Sequence, residues 1–194
     1  MHNILVLTGY CAAGKDTVQN ILVDRFGYTP LVSTTTRPIR NGEVEDVNYH
    51  FVSDEYFKKQ IQDNNLIEYR EYHTEIDDTP QIWYYGVEKK EIEQKPENSK
   101  IVVVLDSTGY KEFVKTYGRE QITLIWVDAD LKLRKLRCKK RGDYNQQEFK
   151  KRLSDDIKRF KGIANEADIV IDNNLTSLGE LTAKVRDTVS LIEG

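Results

Sequence analysis

The fold of this chain is decided by one short stretch, Gly9-Tyr10-Cys11-Ala12-Ala13-Gly14-Lys15-Asp16-Thr17, here called the phosphate loop. An apolar run at residues 4–7 precedes it and has the short, branched composition of a buried strand. Residues 18–26 follow with apolar side chains at helical spacing. Glycines let backbone N–H groups converge on one anion, while the helix start and the lysine add positive charge. Strand, glycine loop and helix together predict a phosphate-binding site.

The residue after the lysine departs from the usual pattern, GxxxxGK[ST], in which a hydroxyl at that position meets Mg²⁺. Here Asp16 follows the lysine and Thr17 comes next. A carboxylate is also an oxygen ligand for Mg²⁺, but it places negative charge beside a polyphosphate, so Asp16 either assists the metal or weakens nucleotide binding. We predict that Asp16 and Thr17 meet the metal. The nucleotide is predicted to contact Gly9, Ala12, Ala13, Gly14, Lys15, Asp16 and Thr17.

Composition excludes several classes of function. The chain has 29 Lys and Arg against 32 Asp and Glu, a net charge of −3, so it has no overall basic surface for nucleic acid. No apolar run approaches the ~20 residues of a membrane-spanning helix, and the first residues lack a signal-peptide pattern. The two cysteines, Cys11 and Cys138, lack metal-ligand spacing. We expect a cytoplasmic protein without nucleic-acid or membrane partners, and its oligomeric state is open.

Apolar strand candidates alternate with helical segments along most of the chain. Strands are predicted at residues 4–8, 28–32, 101–106, 122–127 and 169–171. Helices are predicted at residues 15–26, 108–117, 131–141, 146–160 and 178–192. Such alternation predicts an α/β fold of the P-loop NTPase type, a parallel sheet flanked by helices. A sheet of this kind binds ligands at the carboxyl ends of its strands, where the phosphate loop begins.

Residues 33–95 interrupt this alternation. Short aromatic strands are predicted at residues 49–52, 66–69 and 82–85, with one helix at residues 54–62. We therefore predict a small β-rich insert at 33–95, carried on a core made of 1–32 and 96–194. A polar segment at 142–147 joins two basic helices and predicts a mobile flap there.

A second anion site is predicted directly after the second core strand. Residues 33–43 (STTTRPIRNGE) contain Arg37 and Arg40 among hydroxyl side chains, before a glycine turn. Guanidinium groups bind phosphate bidentately, and hydroxyl and backbone N–H groups can complete its shell. The alternative is a polar surface loop whose arginine stems only cover apolar surface. We favour a chain that holds two phosphates rather than one.

Residues 33–53, STTTRPIRNGEVEDVNYHFVS, resemble the monophosphate-binding signature of guanylate kinases, S-x-T-T-R-x-x-R-x-x-E-x-x-x-x-x-Y-x-F-V-S, at every named position. LIEY (66–69) and YYG (84–86) are similar to two further motifs of the family, and RCKKRG (137–142) with KRL (151–153) is similar to its lid. The resemblance covers nearly the whole chain in the same order. It implies transfer of the γ-phosphoryl group of ATP, with Mg²⁺, to a nucleoside monophosphate, GMP or dGMP, which yields ADP and the diphosphate.

The resemblance also implies roles for individual residues. Glu68 and Ser33 would face the base, because a carboxylate can accept two N–H groups of guanine that adenine does not present. The whole acceptor set would be Ser33, Arg37, Arg40, Tyr49, Glu68, Tyr85 and Asp106. A lid at about 137–152 would close over the donor nucleotide. Charge on the transferred group would be neutralised by the catalytic residues Lys15, Arg37, Arg137, Arg141 and Arg152.

Two positions depart from the family pattern and leave the base and sugar of the acceptor open. Val87 follows the YYG turn, where the family has a hydroxyl that helps to bind guanine, and Val104 replaces the first acid of an LDxD pattern. The same fold with a different phosphorylated acceptor, another deoxynucleotide or a ribose phosphate, is therefore an alternative. A non-catalytic module that binds a phosphorylated peptide is another, although such modules usually lack the loop lysine that is present here.

Overall fold

The structure is a computed structural model that describes residues 3–76, 79–140, 146–175 and 177–194. Its strands are β1 (Asn3–Thr8), β2 (Thr29–Pro30), β3 (Thr34–Thr35), β4 (His50–Phe51), β5 (Leu66–Ile76), β6 (Thr79–Glu88), β7 (Lys100–Val104), β8 (Ile122–Asp128) and β9 (Ile169–Asp172). Its helices are α1 (Lys15–Phe26), α2 (Asp54–Gln62), α3 (Lys90–Glu93), α4 (Ser107–Tyr117), α5 (Leu131–Lys140), α6 (Gln146–Arg159), α7 (Ile163–Glu166) and α8 (Leu178–Glu193). Among these residues, no helix is both long and apolar enough to cross a bilayer.

Five strands form a parallel sheet in the order β2-β7-β1-β8-β9, so the predicted α/β fold is confirmed. The central strand β1 is fully buried from Ile4 onward and pairs with β7 and β8. Because all five strands run in the same direction, their carboxyl ends meet at one edge. That edge carries the phosphate loop after β1 and Asp106 after β7.

Side chains of the sheet alternate between two apolar layers, as the period of a strand requires. Ile4 and Val6 lie in a layer that includes residues of α4, whereas Leu5 and Leu7 lie in a layer with residues of α1 and α8. Burial on both sides explains why β1 is a continuous apolar run in the sequence. Helices therefore cover both faces of the sheet and leave its carboxyl edge for the site.

Three of the predicted strands are shorter in the structure, and one of them, predicted at residues 49–52, pairs only at His50–Phe51. The strand predicted at residues 101–106 ends at Val104, because the carboxylate of Asp106 accepts N–H groups of Thr108 and Gly109 and so begins α4 at Ser107. The strand predicted at 28–32 pairs only at Thr29–Pro30. All three differences lie at strand ends, where tertiary contacts set the boundary.

Residues 34–88 contain a second sheet, in the order β4-β3-β6-β5. The short strands predicted at 66–69 and 82–85 are parts of a longer hairpin, β5 (11 residues) and β6 (10 residues). Stacking of Tyr72 on Trp83, with ring centroids 6.2 Å apart, supports the outer part of this hairpin. Of the polar segment predicted as a flap at 142–147, only residues 146 and 147 are described, and they belong to the start of α6.

Candidate active site

The phosphate loop has the backbone conformation that its glycines allow. Gly9 has φ +146°, and a Cβ there would collide with the carbonyl oxygen of Val127 on β8. Gly14 has φ +100°, and a Cβ there would collide with the amide of Asn173. Neither position can hold a side chain without displacing its neighbour. The loop therefore lies tightly against the ends of β8 and β9.

Lys15 lies at the first position of α1, and its ammonium group bends back over the loop. Its Nζ donates to the carbonyl oxygens of Gly9 (2.8 Å) and Tyr10 (3.1 Å). Burial lowers the pKa of Lys15, although the negative charge of Asp16 opposes the shift. Asp16 and Thr17 are exposed in the first turn of α1. Ammonium, carboxylate and hydroxyl groups are thus placed together at one helix start.

Three distant side chains hold the backbone of the loop. Arg137 on α5 donates to the carbonyl oxygens of Ala12 (3.3 Å) and Ala13 (3.0 Å) and to that of Asn173 (2.9 Å). The Asn173 amide also donates to the Ala13 carbonyl (2.7 Å). The Asp156 carboxylate on α6 accepts the N–H of Cys11 (2.7 Å). Arg137 therefore reaches the phosphate loop from α5.

Arg37 is nearly enclosed, with 3% of its surface exposed, and its guanidinium group is fixed in place. Its Nη1 and Nη2 donate to the two carboxylate oxygens of Glu43 (3.0 and 2.8 Å), and Nη1 also donates to the carbonyl of Pro38 (2.7 Å). The guanidinium lies 5.3 Å from the centroid of the Tyr49 ring and 5.6 Å from that of Phe51. A cation held by a carboxylate and two rings has few ways to move.

Glu43 itself is held by two donors. Burial opposes ionisation of its carboxyl group, but hydrogen bonds from Arg37 and from the backbone N–H of Arg40 keep its pKa below the usual value. The side chain of Arg40 is exposed, and Ser33 is half-buried with its carbonyl accepting the N–H of His50 (2.9 Å). The predicted pair of arginines is thus divided into one fixed side chain and one exposed one.

Tyr49 and Tyr85 lie beside two arginines, with the Arg37 guanidinium against the Tyr49 ring and the Arg70 guanidinium against the Tyr85 ring. Their rings meet edge to face with centroids 6.0 Å apart. Burial raises the pKa of Tyr49, and the negative charge of Asp16 raises it further. The two rings thus pack against each other and against one arginine each.

Glu68 on β5 and Asp106 after β7 are both buried. Arg70, two residues after Glu68 on β5, lies between them at 3.7 Å from the Glu68 carboxylate and 3.6 Å from that of Asp106. Burial raises the pKa of Glu68 to about 7; the charge of Arg70 lowers it and that of Asp106 raises it. Asp106 also pairs with Arg159 of α6 at 3.1 Å.

The basic residues predicted for the lid are only partly described. Arg152 on α6 lies with its guanidinium carbon 5.7 Å from the centroid of the Tyr72 ring, and the neighbouring Lys151 donates to the carbonyl of His73 (3.2 Å). Helix α6 therefore contacts the β5–β6 hairpin. Arg141 lies outside the described residues.

Val87 is fully buried opposite Glu68 in the β5–β6 pairing and packs in an apolar cluster with Ile67 and Leu105. Val104 is half-buried beside the other apolar layer of the main sheet. Both positions at which the family pattern has polar side chains are thus used for apolar packing here.

Several side chains in the site were not predicted from the sequence. Arg70 could have been found, because residues two apart on a strand share a face and Glu68 was already identified. Asn173, Asp156 and Arg159 carry no local signal, since their partners are distant in the chain. Glu43 belongs to the matched signature, but its role as the partner of Arg37 emerges only from the structure.

A parallel sheet with a lysine-bearing phosphate loop at its central strand, facing a second sheet with a fixed arginine, defines the class of P-loop nucleoside monophosphate kinases. The guanylate kinase family model matches residues 1–190. The chain belongs to the guanylate kinase family, whose members are ATP-dependent nucleoside monophosphate kinases.

Individual relatives agree with this assignment. The guanylate kinase of Sulfurimonas denitrificans is 28% identical over 186 residues, which span 95% of this chain and 86% of the relative. That of Helicobacter hepaticus is 29% identical over 181 residues, spanning 91% and 86%. A crystal structure of guanylate kinase from Anaplasma phagocytophilum superposes with a TM-score of 0.66 at 24% identity, covering 97% of this chain and 84% of that one. This last similarity concerns the fold.

Proposed function

We propose that this kinase transfers the γ-phosphoryl group of ATP to GMP or dGMP, giving ADP and the nucleoside diphosphate. One observation carries the proposal: Arg70 on β5 of the second sheet lies 3.6 Å from Asp106, which follows β7 at the same edge of the main sheet as the phosphate loop. Two phosphate-binding surfaces that adjoin in this way suit transfer between two bound phosphates. We place this reaction in the cytoplasm, where ATP is available.

On the donor side, the loop backbone and Lys15 bind the outer phosphates of ATP. Arg137 is already in contact with the loop carbonyls, so a small change of partner brings its charge to the transferred group. Arg152 and Arg141 are proposed to add charge from the lid. In a reaction of this kind catalysis comes from alignment and charge neutralisation rather than from proton abstraction.

On the acceptor side, Arg37, Arg40, Tyr49 and Tyr85 bind the phosphate of the monophosphate. Among the described residues, Glu43 and Pro38 accept hydrogen bonds from three of the five N–H groups of Arg37. These bonds fix the guanidinium group, and its two remaining N–H groups are proposed to donate to the phosphate. Glu68, with Ser33 and Asp106, faces the base. A carboxylate that accepts two guanine N–H groups favours guanine over adenine.

Mg²⁺ fits the donor set in the first turn of α1. Asp16 and Thr17 are both exposed and both offer oxygen atoms, the ligands that Mg²⁺ prefers. When bound with ATP, the ion neutralises charge on the phosphates. Asp16 and Thr17 would hold it, directly or through water, while Lys15 binds the same phosphates.

Residues 33–95 are proposed to act as the acceptor-binding insert and residues 137–152 as the lid, on a core of 1–32 and 96–194. The contact of Arg152 with Tyr72, and that of Lys151 with His73, supports closure of lid and insert toward each other. Such closure excludes water, which would otherwise hydrolyse ATP.

A second acceptor class is favoured by Val87. A buried apolar residue opposite Glu68 removes one hydrogen bond that would otherwise select guanine, at about 1–3 kcal/mol of discrimination. A different deoxynucleotide or a sugar phosphate remains the alternative acceptor on this ground.

Initial rates of ADP formation with each ribo- and deoxynucleoside monophosphate test the proposal. We expect the highest kcat/KM with GMP or dGMP. A thermal-shift series with the same compounds and with a pentose phosphate identifies the true ligands, because only they raise Tm. Absence of ADP formation with every nucleotide, or a Tm increase only with the sugar phosphate, would contradict the assignment.

A further inference from the structure

Arg70 occupies a central place that the reaction outlined above does not use. It lies on the same face of β5 as Glu68 and directly opposite Tyr85 on β6, with its guanidinium carbon 5.4 Å from the centroid of that ring. Its Nη1 and Nε lie 3.7 and 3.6 Å from carboxylate oxygens of Glu68 and Asp106. A single cation thus bridges the two acidic side chains assigned to the base side of the acceptor site.

The two carboxylates depend on this cation unequally. Asp106 also pairs with Arg159 and caps α4, whereas the only ion pair of Glu68 among the described residues is with Arg70. The Glu68 carboxylate also lies close to Gly109, where an added Cβ would be 3.1 Å from Oε2. Glu68 is therefore held in a narrow space between Arg70 and the first turn of α4.

We propose that Arg70 is a positioning residue of the acceptor site, which holds Glu68 ionised and aimed so that its carboxylate accepts the N–H groups of the acceptor base. This inference rests on the proposed function. It makes Arg70 a determinant of base selection rather than of phosphoryl transfer. Without Arg70, two buried carboxylates would face each other, and one of them would retain a proton.

Protonation matters because a protonated Glu68 is a poor acceptor for two guanine N–H groups. Burial already raises the pKa of Glu68 to about 7, with Arg70 lowering it and Asp106 raising it. Among the described residues, the other charged or titratable groups that interact with this cluster are Tyr49, Tyr85 on β6, Lys15 on α1 and Arg159 on α6. Removal of Arg70 takes away the positive charge that lowers the pKa of Glu68.

The experiment measures KM and kcat for GMP at saturating ATP from about pH 6.5 to 9. In the wild type, KM is expected to rise below about pH 7. In Arg70→Met the rise in KM should begin at higher pH. At neutral pH the KM of this variant should be about tenfold above that of the wild type, and at about pH 9 the two KM values should nearly agree. The kcat of the variant should stay within about threefold of the wild-type kcat. Arg70→Lys should restore most of the wild-type profile.

Two further variants separate this role from a structural one. In Arg70→Met/Glu68→Gln the titrating group is gone, so KM should be high but independent of the Glu68 proton. Lys59→Met removes a positive charge from an exposed site on α2, where Lys59 pairs with Asp63, and should leave the profile unchanged. The GMP phosphate itself titrates near pH 6, and the Glu68→Gln background corrects for it.

The outcomes are distinguishable. A wild type that does not phosphorylate GMP overturns the proposed function and this inference with it. A GMP-active wild type whose KM profile is unchanged in Arg70→Met overturns the inference alone. A fall in kcat at every pH with unchanged KM also overturns it, because Arg70 would then act on the transferred group.

Discussion

Glu43 is the side chain through which the acceptor-phosphate site can be tested most directly. Glu43→Gln keeps the volume of the side chain but removes its charge and turns one oxygen into an NH₂ group facing the Arg37 guanidinium. The change leaves a buried cation, with 3% of its side chain exposed, half-paired. Charged hydrogen bonds contribute about 1.5–3 kcal/mol each, and removing one partner of a buried pair costs about 3–5 kcal/mol.

Because the amide keeps one acceptor and Glu43 is 19% exposed, we expect a loss of about 2–3 kcal/mol in the free energy of unfolding. For a chain of this size that lowers Tm by about 5–10 °C. Arg37 would also regain rotamer freedom worth about 1–2 kcal/mol, so KM for GMP should rise about 5- to 30-fold.

Differential scanning calorimetry and initial rates at saturating ATP measure both effects. Glu97→Gln, a change at an exposed carboxylate, is the matched control. The pKa of Glu43 lies below 4.5 in the folded protein, so its stabilisation is present above the unfolded pKa and is lost as pH falls through the folded one. The Tm difference should therefore shrink in acid. A Tm within about 1 °C of wild type together with an unchanged KM would refute the assigned role of Glu43.

Three predictions concern the phosphate loop. Lys15→Ala should abolish turnover but leave GMP affinity, measured by calorimetric titration, within about threefold, since the acceptor site is separate; substantial residual activity would contradict the donor-site assignment. Asp16→Ser should keep kcat/KM for MgATP within about threefold, because either residue supplies an oxygen ligand, whereas a rise of tenfold or more would mean that the carboxylate weakens ATP binding. Gly14→Ala should lower stability by about 2–3 kcal/mol in denaturant titration, because φ is +100° and the new Cβ meets Asn173; an unchanged midpoint would exclude strain at this glycine.

The sequence predicted those parts of the fold that are encoded locally. Helices α1 and α2 have the bounds expected from their apolar spacing, and α2 begins where Ser53 accepts the N–H of Tyr56 (3.2 Å). The length of the β5–β6 hairpin was not predicted, because its outer part is polar and depends on cross-strand pairs such as Tyr72 with Trp83. Local sequence patterns therefore predict which helices and strands form, whereas cross-strand pairing determines how long the strands are.

The same distinction applies to the site. Lys15 and Arg37 were recognisable because each belongs to a short motif with a physical role. Asn173 meets Ala13 across 160 residues of chain, and Arg137 meets it across 124, so no window of sequence contains either contact. Arg70 shares a face of β5 with Glu68, but no motif marks it in the sequence.

Asp106 brings three parts of the chain together at one carboxylate. Its Oδ1 begins α4, and its Oδ2 pairs with Arg159 on α6 and with Arg70 on β5. A ligand that displaces Arg70 from Asp106 changes the strength of the ion pair between Asp106 and Arg159. Ligand binding at the second sheet and the position of α6 are therefore thermodynamically linked. Linkage is reciprocal: the factor by which ATP changes the affinity for the acceptor equals the factor by which the acceptor changes the affinity for ATP. Oδ2 of Asp106 would then contribute to cooperativity between the two substrates, beside the contacts of Arg152 and Lys151 with β5.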